Sequence, residues 1–449
     1  MTLVGKETMS LESELQSSRR SFMKLLAAAP LFVSLGARSL ASTVAASAAG
    51  IIPTSPRDWN NNIYTRFGIR PIINCRGVYT YLTASVELPQ VRKAAEEASH
   101  FFIDIYELHD QVGNYLAKMS GAEYGMVTSG SAGSISAAVA GCIAGSDPKN
   151  IYQLPDTTGM KGEVIIMGGR SPWDSCIRLT GAKLIVAPTV NDLHSTMTSQ
   201  TAMIYTTWHD DERINQILKI SKAAGVPLMV DQAAGIPPYS NFTRYAKLGV
   251  DLYCFSGGKG LMGPQVSGLL LGRKDLIVAA RYNCAPWEGS ICRPMKVGKE
   301  EIMGCLAALD YWSKADCDAI NKEWQRRMER LAKMIETVPG VHTSIKTPAA
   351  FESDAFPTLH VNWDEQKFGL TVAQCNEQLK AGNPRIEVQT NQNISGVLAR
   401  IKTPNAPLGL GRPTTDEMRI LPITMQPGEE LIVGNSLRKI LDKARKQSA

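Results

Sequence analysis

Cys254-Phe255-Ser256-Gly257-Gly258-Lys259-Gly260-Leu261-Met262-Gly263-Pro264-Gln265 sets one lysine in a glycine-rich turn directly after the apolar run Leu252 to Phe255. That run is continuous rather than alternating, which predicts a strand buried on both faces of a parallel sheet. The lysine then stands at the strand's carboxyl end, the edge of an open α/β sheet where ligands bind. A lysine on such a loop suits Schiff-base chemistry, and Ser256, three residues earlier, is available to a phosphate. Taken alone, the pattern also fits a solvated surface lysine.

Working back along the chain, Val230-Asp231-Gln232-Ala233-Ala234-Gly235 puts an acid at the end of another buried run. A carboxylate there can hold a pyridine nitrogen protonated, because opposite charges favour each other's ionised forms; it can equally cap a turn. Further back, Thr128-Ser129-Gly130-Ser131-Ala132-Gly133-Ser134 follows a short strand and opens a helix. Its small residues let a ligand approach the backbone, and the free N–H groups of the helix start attract a phosphate; packing alone would also explain them. The turn is neither a dinucleotide fingerprint nor a nucleoside-triphosphate loop. Order and spacing join the three. A phosphate turn formed by Ser129, Gly130, Ser131 and Ala132, then Asp231, then Lys259 28 residues later, is the arrangement that a pyridoxal 5′-phosphate enzyme requires.

Around these motifs, apolar strand-like runs alternate with helical stretches from Gly125 to Gly272, which predicts a large α/β domain over residues 91–298. Residues 299–449 begin with long helical patterns and continue with strands and two helices, which predicts a smaller α+β domain. Residues 49–90, rich in Pro, Asn and Arg, read as an extended N-terminal arm suited to exchange between protomers. A homodimer or larger homo-oligomer is therefore expected.

Ser18-Arg19-Arg20-Ser21-Phe22-Met23-Lys24, the apolar run Leu25 to Leu35 and the small-residue stretch Ser42 to Gly50 form a twin-arginine export pattern. Arg38 ends the apolar run well short of the about 20 residues that a membrane-spanning helix needs, so no stable membrane anchor is expected. Residues 1–48 are read as the signal, and a twin-arginine translocase and an exported, periplasmic address follow. The 449-residue chain carries 48 basic and 42 acidic residues; the remainder after position 48 holds 43 and 39, close to neutral. With no basic block or aromatic-interleaved stripe, nucleic acid is not an expected partner. The nine cysteines are scattered without a CxxC pair, so neither zinc nor a disulfide framework is indicated.

Ile72-Ile73-Asn74 with Gly77, Tyr106-Glu107-Leu108 leading to Gly121-Ala122-Glu123, Leu154-Pro155-Asp156 and Ser256 to Gln265 together resemble the bacterial selenocysteine synthase (seryl-tRNA selenium transferase) family. The resemblance runs from about residue 66 to 445, and its branch similar to D-glucosaminate-6-phosphate ammonia-lyase fits best. It implies an aspartate-aminotransferase-like, fold-type-I pyridoxal-phosphate enzyme. Lys259 then matches the Schiff-base lysine, Asp231 the partner of the pyridine nitrogen, and Ser129 to Ala132 with Ser256 the phosphate cup. Trp173 lies where relatives place a residue against the cofactor ring, although a core position suits it equally. Arg170, Arg385, Arg412 and Arg419 are candidates for a substrate carboxylate, whose shape suits a planar guanidinium. A small amino acid or amino-sugar acid is the implied substrate and α,β-elimination the implied reaction. Transamination, racemisation and a non-catalytic binding module remain open. Selenium transferases carry a tRNA-binding region where this chain has its export pattern, so tRNA selenation is not expected.

Overall fold

The structure is a computed structural model and describes residues 57–352, 355–390 and 417–448. Its strands are β1 (Ile72–Cys75), β2 (Tyr124–Ser129), β3 (Glu163–Met167), β4 (Lys183–Ala187), β5 (Thr201–Thr206) and β6 (Leu228–Asp231). They continue as β7 (Leu252–Ser256), β8 (Ser267–Gly272), β9 (Val341–Lys346), β10 (Thr358–Trp363), β11 (Arg385–Thr390) and β12 (Met418–Ile420).

Seven of them form one sheet in the order β2-β8-β7-β6-β5-β3-β4. The pairs β7/β6, β6/β5, β5/β3 and β3/β4 are parallel, and β8 runs antiparallel to both its neighbours. This is the mostly parallel α/β sheet that the continuous apolar runs predict. Val164, Ile166, Met203 and Met229 pack into one core, and Ile165, Ile204, Leu228 and Val230 into the other, so both faces are covered. Each such aliphatic side chain, fully withdrawn from water, contributes about 1.5–3 kcal/mol.

The second sheet has the order β1-β11-β12-β10-β9, with β1 parallel to β11 and the other pairs antiparallel. Here the pattern alternates. Ile73, Cys75, Leu359, Val361, Ile386, Val388, Met418 and Ile420 face the helices Cys317–Ile335, Val372–Ala381 and Glu429–Ser448. Asn74, His360, Arg385, Glu387, Gln389 and Arg419 occupy the opposite, polar face, since successive side chains point to opposite sides of a strand.

One expectation changes. Residues 49–90 are not wholly an extended arm, because Ile73 and Cys75 alternate with Asn74 and bury themselves in the second sheet as β1. After this arm come two helices, Pro89–Ser99 and Ile105–Ser120, separated at Phe101 and Phe102. The second starts at Asp104, whose carboxylate accepts from the amides of Tyr106 (2.7 Å) and Glu107 (3.2 Å), a cap contributing about 1 kcal/mol. It ends at Gly121 with φ 79°, in the left-handed conformation that stops a helix.

Candidate active site

The parallel strands deliver their carboxyl ends to one edge of the seven-stranded sheet: β2 ends on Ser129, β6 on Asp231 and β7 on Ser256. Register fixes their relation, with Ser129 opposite Ser267, Ser256 opposite Gly268 and Asp231 opposite Cys254. Residues 127 positions apart in sequence therefore share one rim.

Ser129 leads into the helix Gly130–Ala144, and no side chain caps that helix start. Gly130 turns the backbone with φ 70°, and the space beside its Cα is open. The Ser129 hydroxyl lies over the first turn, since a Cβ at Gly133 would stand 2.5 Å from its Oγ. The hydroxyls of Ser129, Ser131 and Ser256 make no hydrogen bond among the described residues. Open amide groups, three free hydroxyls and the positive end of a 15-residue helix suit a phosphate.

Lys259 sits in a loop compressed against its surroundings. A Cβ at Gly260 would stand 2.1 Å from the Ile236 carbonyl, so only glycine fits. The loop is closed by the amides of Gly257 on the Ser267 carbonyl (2.8 Å) and of Gly263 on the Gly257 carbonyl (2.8 Å). From outside, Ser85 Oγ donates to the Gly258 carbonyl (2.6 Å) and Trp312 Nε1 to the Leu261 carbonyl (2.9 Å). The partly buried Lys259 Nζ lies 5.5 Å from the centroid of Trp173, which is 44% exposed and hence not a core tryptophan.

Asp231 is buried and surrounded by donors. Tyr205 Oη donates to Oδ2 at 2.8 Å, the Ala233 amide to Oδ1 at 3.1 Å, and the Cys254 thiol approaches Oδ1 at 3.4 Å. Burial, reinforced by the neighbouring Asp231 charge, holds the Tyr205 phenol and the Cys254 thiol well above their usual pKa values, so both remain protonated donors. His209 Nε2 lies 2.9 Å from the Asp231 carbonyl and carries the proton it donates there; burial lowers the pKa of that ring.

A cavity of about 130 Å³ adjoins the same helix start and is lined by Ser129, Gly133, His109, Cys284, Arg293 and Lys296, among others. The Arg293 and Lys296 side chains have no ion pair among the described residues. His109 is buried, and its pKa falls to about 4, through burial first and the Arg281 charge second.

The four candidate arginines separate clearly. Arg170 is engaged by Asp174 one helical turn on, and Arg385 by Glu387 (Nε to Oε1, 2.9 Å), so neither is a free carboxylate anchor in this structure. Arg412 lies outside the described residues. Arg419, on the polar face of β12, keeps a buried Nε without a hydrogen-bond partner among the described residues. Its register partner Gln389 donates to Tyr79 Oη (2.9 Å), and the buried Arg76 guanidinium lies 5.2 and 5.1 Å from the rings of Tyr79 and Tyr81. Gln265 Nε2 in turn donates to the Thr80 carbonyl (3.1 Å), tying this cluster to the lysine loop.

Sequence reading missed Tyr205, His209, Arg76, Arg293 and Lys296. Tyr205 reads as one more apolar position of a buried strand; only the β5/β6 pairing turns its hydroxyl toward Asp231. The Arg293/Lys296 pair lies 34 and 37 residues beyond Lys259, with no motif of its own.

An α/β sheet edge that combines a loop lysine, a donor-held acid and an uncapped helix start defines the pyridoxal-phosphate class, and the donor set fits that group. The comparisons with known proteins agree. Residues 171–384 match the aminotransferase class-V family. A 5′-C-glycyluridine monooxygenase-decarboxylase from Streptomyces sp is 29% identical over 72% of this chain and 83% of its own length. A D-glucosaminate-6-phosphate ammonia lyase from Salmonella typhimurium is 27% identical over 75% of this chain and 92% of its own. A solved D-glucosaminate-6-phosphate ammonia-lyase structure superposes with a TM-score of 0.69 at 24% identity, covering 86% of this chain and 99% of that one. Bacterial L-seryl-tRNA(Sec) selenium transferases match as well. By its fold the chain is a fold-type-I, aminotransferase-like protein, and it is similar to aminotransferase class-V proteins over residues 171–384.

Proposed function

We propose that this chain is an exported pyridoxal-phosphate-dependent lyase that removes ammonia from a small hydroxylated amino acid or amino-sugar acid by α,β-elimination. The carrying observation is the single sheet edge that holds Lys259, Asp231 and the uncapped start of the helix Gly130–Ala144. The choice of elimination draws on the similarity to an ammonia lyase over most of that enzyme's length.

When bound, pyridoxal phosphate supplies an electron sink for the charge left at the carbon that bears the substrate's amine. Lys259 Nζ would hold the cofactor and, as a free amine, would take the proton from that carbon. Asp231, aimed by Tyr205, Ala233 and Cys254, accepts the ring N–H and favours its protonated form. Ser129, Ser131, Ser256 and the helix amides bind the phosphate, and Trp173 lies over Lys259. Arg419 is the proposed anchor for the substrate carboxylate, because its Nε is buried and unpaired among the described residues.

The test is to supply the purified protein with pyridoxal phosphate and to measure ammonia and 2-keto-acid release from a panel of hydroxylated amino acids and amino-sugar acids. Release that stops in Lys259→Ala, together with loss of the visible absorbance band, is the expected result. Absorbance unchanged by that substitution would overturn the site assignment. The monooxygenase-decarboxylase relative favours a second reading, oxidative decarboxylation of an α-amino acid. Carbon dioxide release that disappears without O₂ would select it over elimination.

Two further proposals concern the whole chain. Residues 1–48 act as a twin-arginine signal, so Arg19→Lys with Arg20→Lys retains the protein in the cytoplasm in a fractionation assay. The protein forms at least a homodimer. Phe101, Phe102 and Ile103 are exposed apolar side chains of the kind a second copy covers, and so are Ile63, Tyr64 and Phe67.

A further inference from the structure

The segment between the helices Lys274–Tyr282 and Lys299–Lys314 folds back on itself, and Cys284 and Cys292 pair as an isolated parallel bridge. The Cys292 amide donates to the Asn283 carbonyl at 3.0 Å, and the Trp287 amide to the Cys284 carbonyl at 3.0 Å. Asn283 is itself fixed, its Nδ2 donating to the carbonyls of Ala279 (2.9 Å) and Gly145 (3.1 Å). Residues paired on neighbouring strands stand about 5 Å apart at Cα, within the span of a disulfide. Both side chains lie in the core that covers one face of the large sheet. All nine cysteines are free thiols in this structure.

We propose that Cys284 and Cys292 are a disulfide site, closed by a disulfide donor, and that closure locks the segment that carries Arg293 and Lys296 to the cavity beside Ser129. The chemistry balances with a donor RSSR, either a small-molecule disulfide or a thiol–disulfide oxidoreductase. One cysteine thiolate attacks a donor sulfur and releases RS⁻; the second thiolate then attacks the mixed disulfide and releases the other RS⁻. Two protons and two electrons leave the cysteine pair, and the donor is reduced to two thiols. Glu288 and Gly289 at the tip of the loop are exposed, so the donor reaches the pair when the loop opens, and the closed bond is then sheltered in the core. Cys284, Ala285 and Pro286 line the cavity on one side of the loop, and Arg293, the residue after Cys292, lines it on the other. Cross-linking the bases of these two arms reduces the freedom of the cations relative to Ser129. The bridge pairing stands whether or not the reaction proposed above is correct.

The experiment uses the full-length protein, incubated with oxidised glutathione, acid-quenched, denatured, alkylated with iodoacetamide and digested with trypsin. Both cysteines fall in one peptide, Tyr282–Lys296, because Arg293 is followed by Pro294. The expected peptide is about 2 Da lighter than its reduced form and carries no alkyl group; the whole chain then titrates with seven thiols rather than nine. The melting temperature should rise by about 3 °C, the stabilisation expected for so short a loop in so large a chain. Dithiothreitol should reverse the rise, and Cys292→Ser should lack it. A doubly alkylated peptide, a glutathione adduct as the end product, or a bond from either cysteine to a third one would overturn the site. A disulfide that forms while inorganic-phosphate affinity stays the same in reduced and oxidised protein would overturn the locking of Arg293 and Lys296.

Discussion

The chemistry of the site depends on a few side chains whose partners come from other strands. Tyr205 donates to Asp231 at 2.8 Å, and a hydrogen bond to a charged group is worth about 1.5–3 kcal/mol. Tyr205→Phe should therefore weaken pyridoxal-phosphate retention by about tenfold or more while leaving the melting temperature of the cofactor-free protein within a few degrees; absorbance titration and thermal scans check both. His109 gives a pH prediction. Its pKa in the folded protein, about 4, lies below the value of about 6.5 in an unfolded chain, so the unfolded state takes up a proton first as pH falls. The associated stability is complete above about pH 6.5 and is lost as pH drops toward 4, as much as about 3 kcal/mol. His109→Gln should flatten that part of the melting-temperature profile. The positions of Asp231 and Ser256 at the ends of apolar runs, and of Lys259 in the glycine turn after one, were legible in the sequence. Tyr205 and His209 were not, because their roles lie in distances across strands.

At the scale of elements, the lysine loop depends on glycines that leave no room for a side chain. Gly260→Ala would place a methyl group 2.1 Å from the Ile236 carbonyl. The backbone must then move, at a cost of about 1–3 kcal/mol, and cofactor retention should fall with it, measured by thermal denaturation and visible absorbance. The seven strands of the large sheet were legible because strands covered on both faces are continuously apolar. The strand β1 was not, since a four-residue stretch with only two buried positions, Ile73 and Cys75, carries too short a period to stand out from an arm. The split of one helical pattern at Phe101 was visible as a break, but the capping by Asp104 that makes it a new helix start became clear only from the hydrogen bonds.

At the scale of the whole molecule, Phe101, Phe102 and Ile103 form an exposed apolar stretch immediately before the helix Ile105–Ser120, whose first residues line the cavity at Ser129. If a second copy covers this surface, Phe101→Ser with Phe102→Asp should convert a dimer to monomer in light scattering coupled to size exclusion, and activity should fall with it. A monomer in the unmodified protein would remove the basis for this expectation. Arg293 and Lys296 belong to this scale too. They follow Lys259 by more than thirty residues and reach the cavity beside Ser129 only because the segment after the helix Lys274–Tyr282 folds back across the sheet edge.

The sequence by itself determined the α/β class, the order of the small-residue turn, the acid and the lysine along the chain, and the division between continuous and alternating strands. Those features are local: each follows from the spacing of apolar residues and from small residues at strand ends. Tertiary structure decided which arginines are already paired, which hydroxyl holds Asp231, where β1 joins, and which cysteines meet. Those outcomes depend on register and on packing between segments far apart in the chain, and a one-residue slip in a strand would change every one of them.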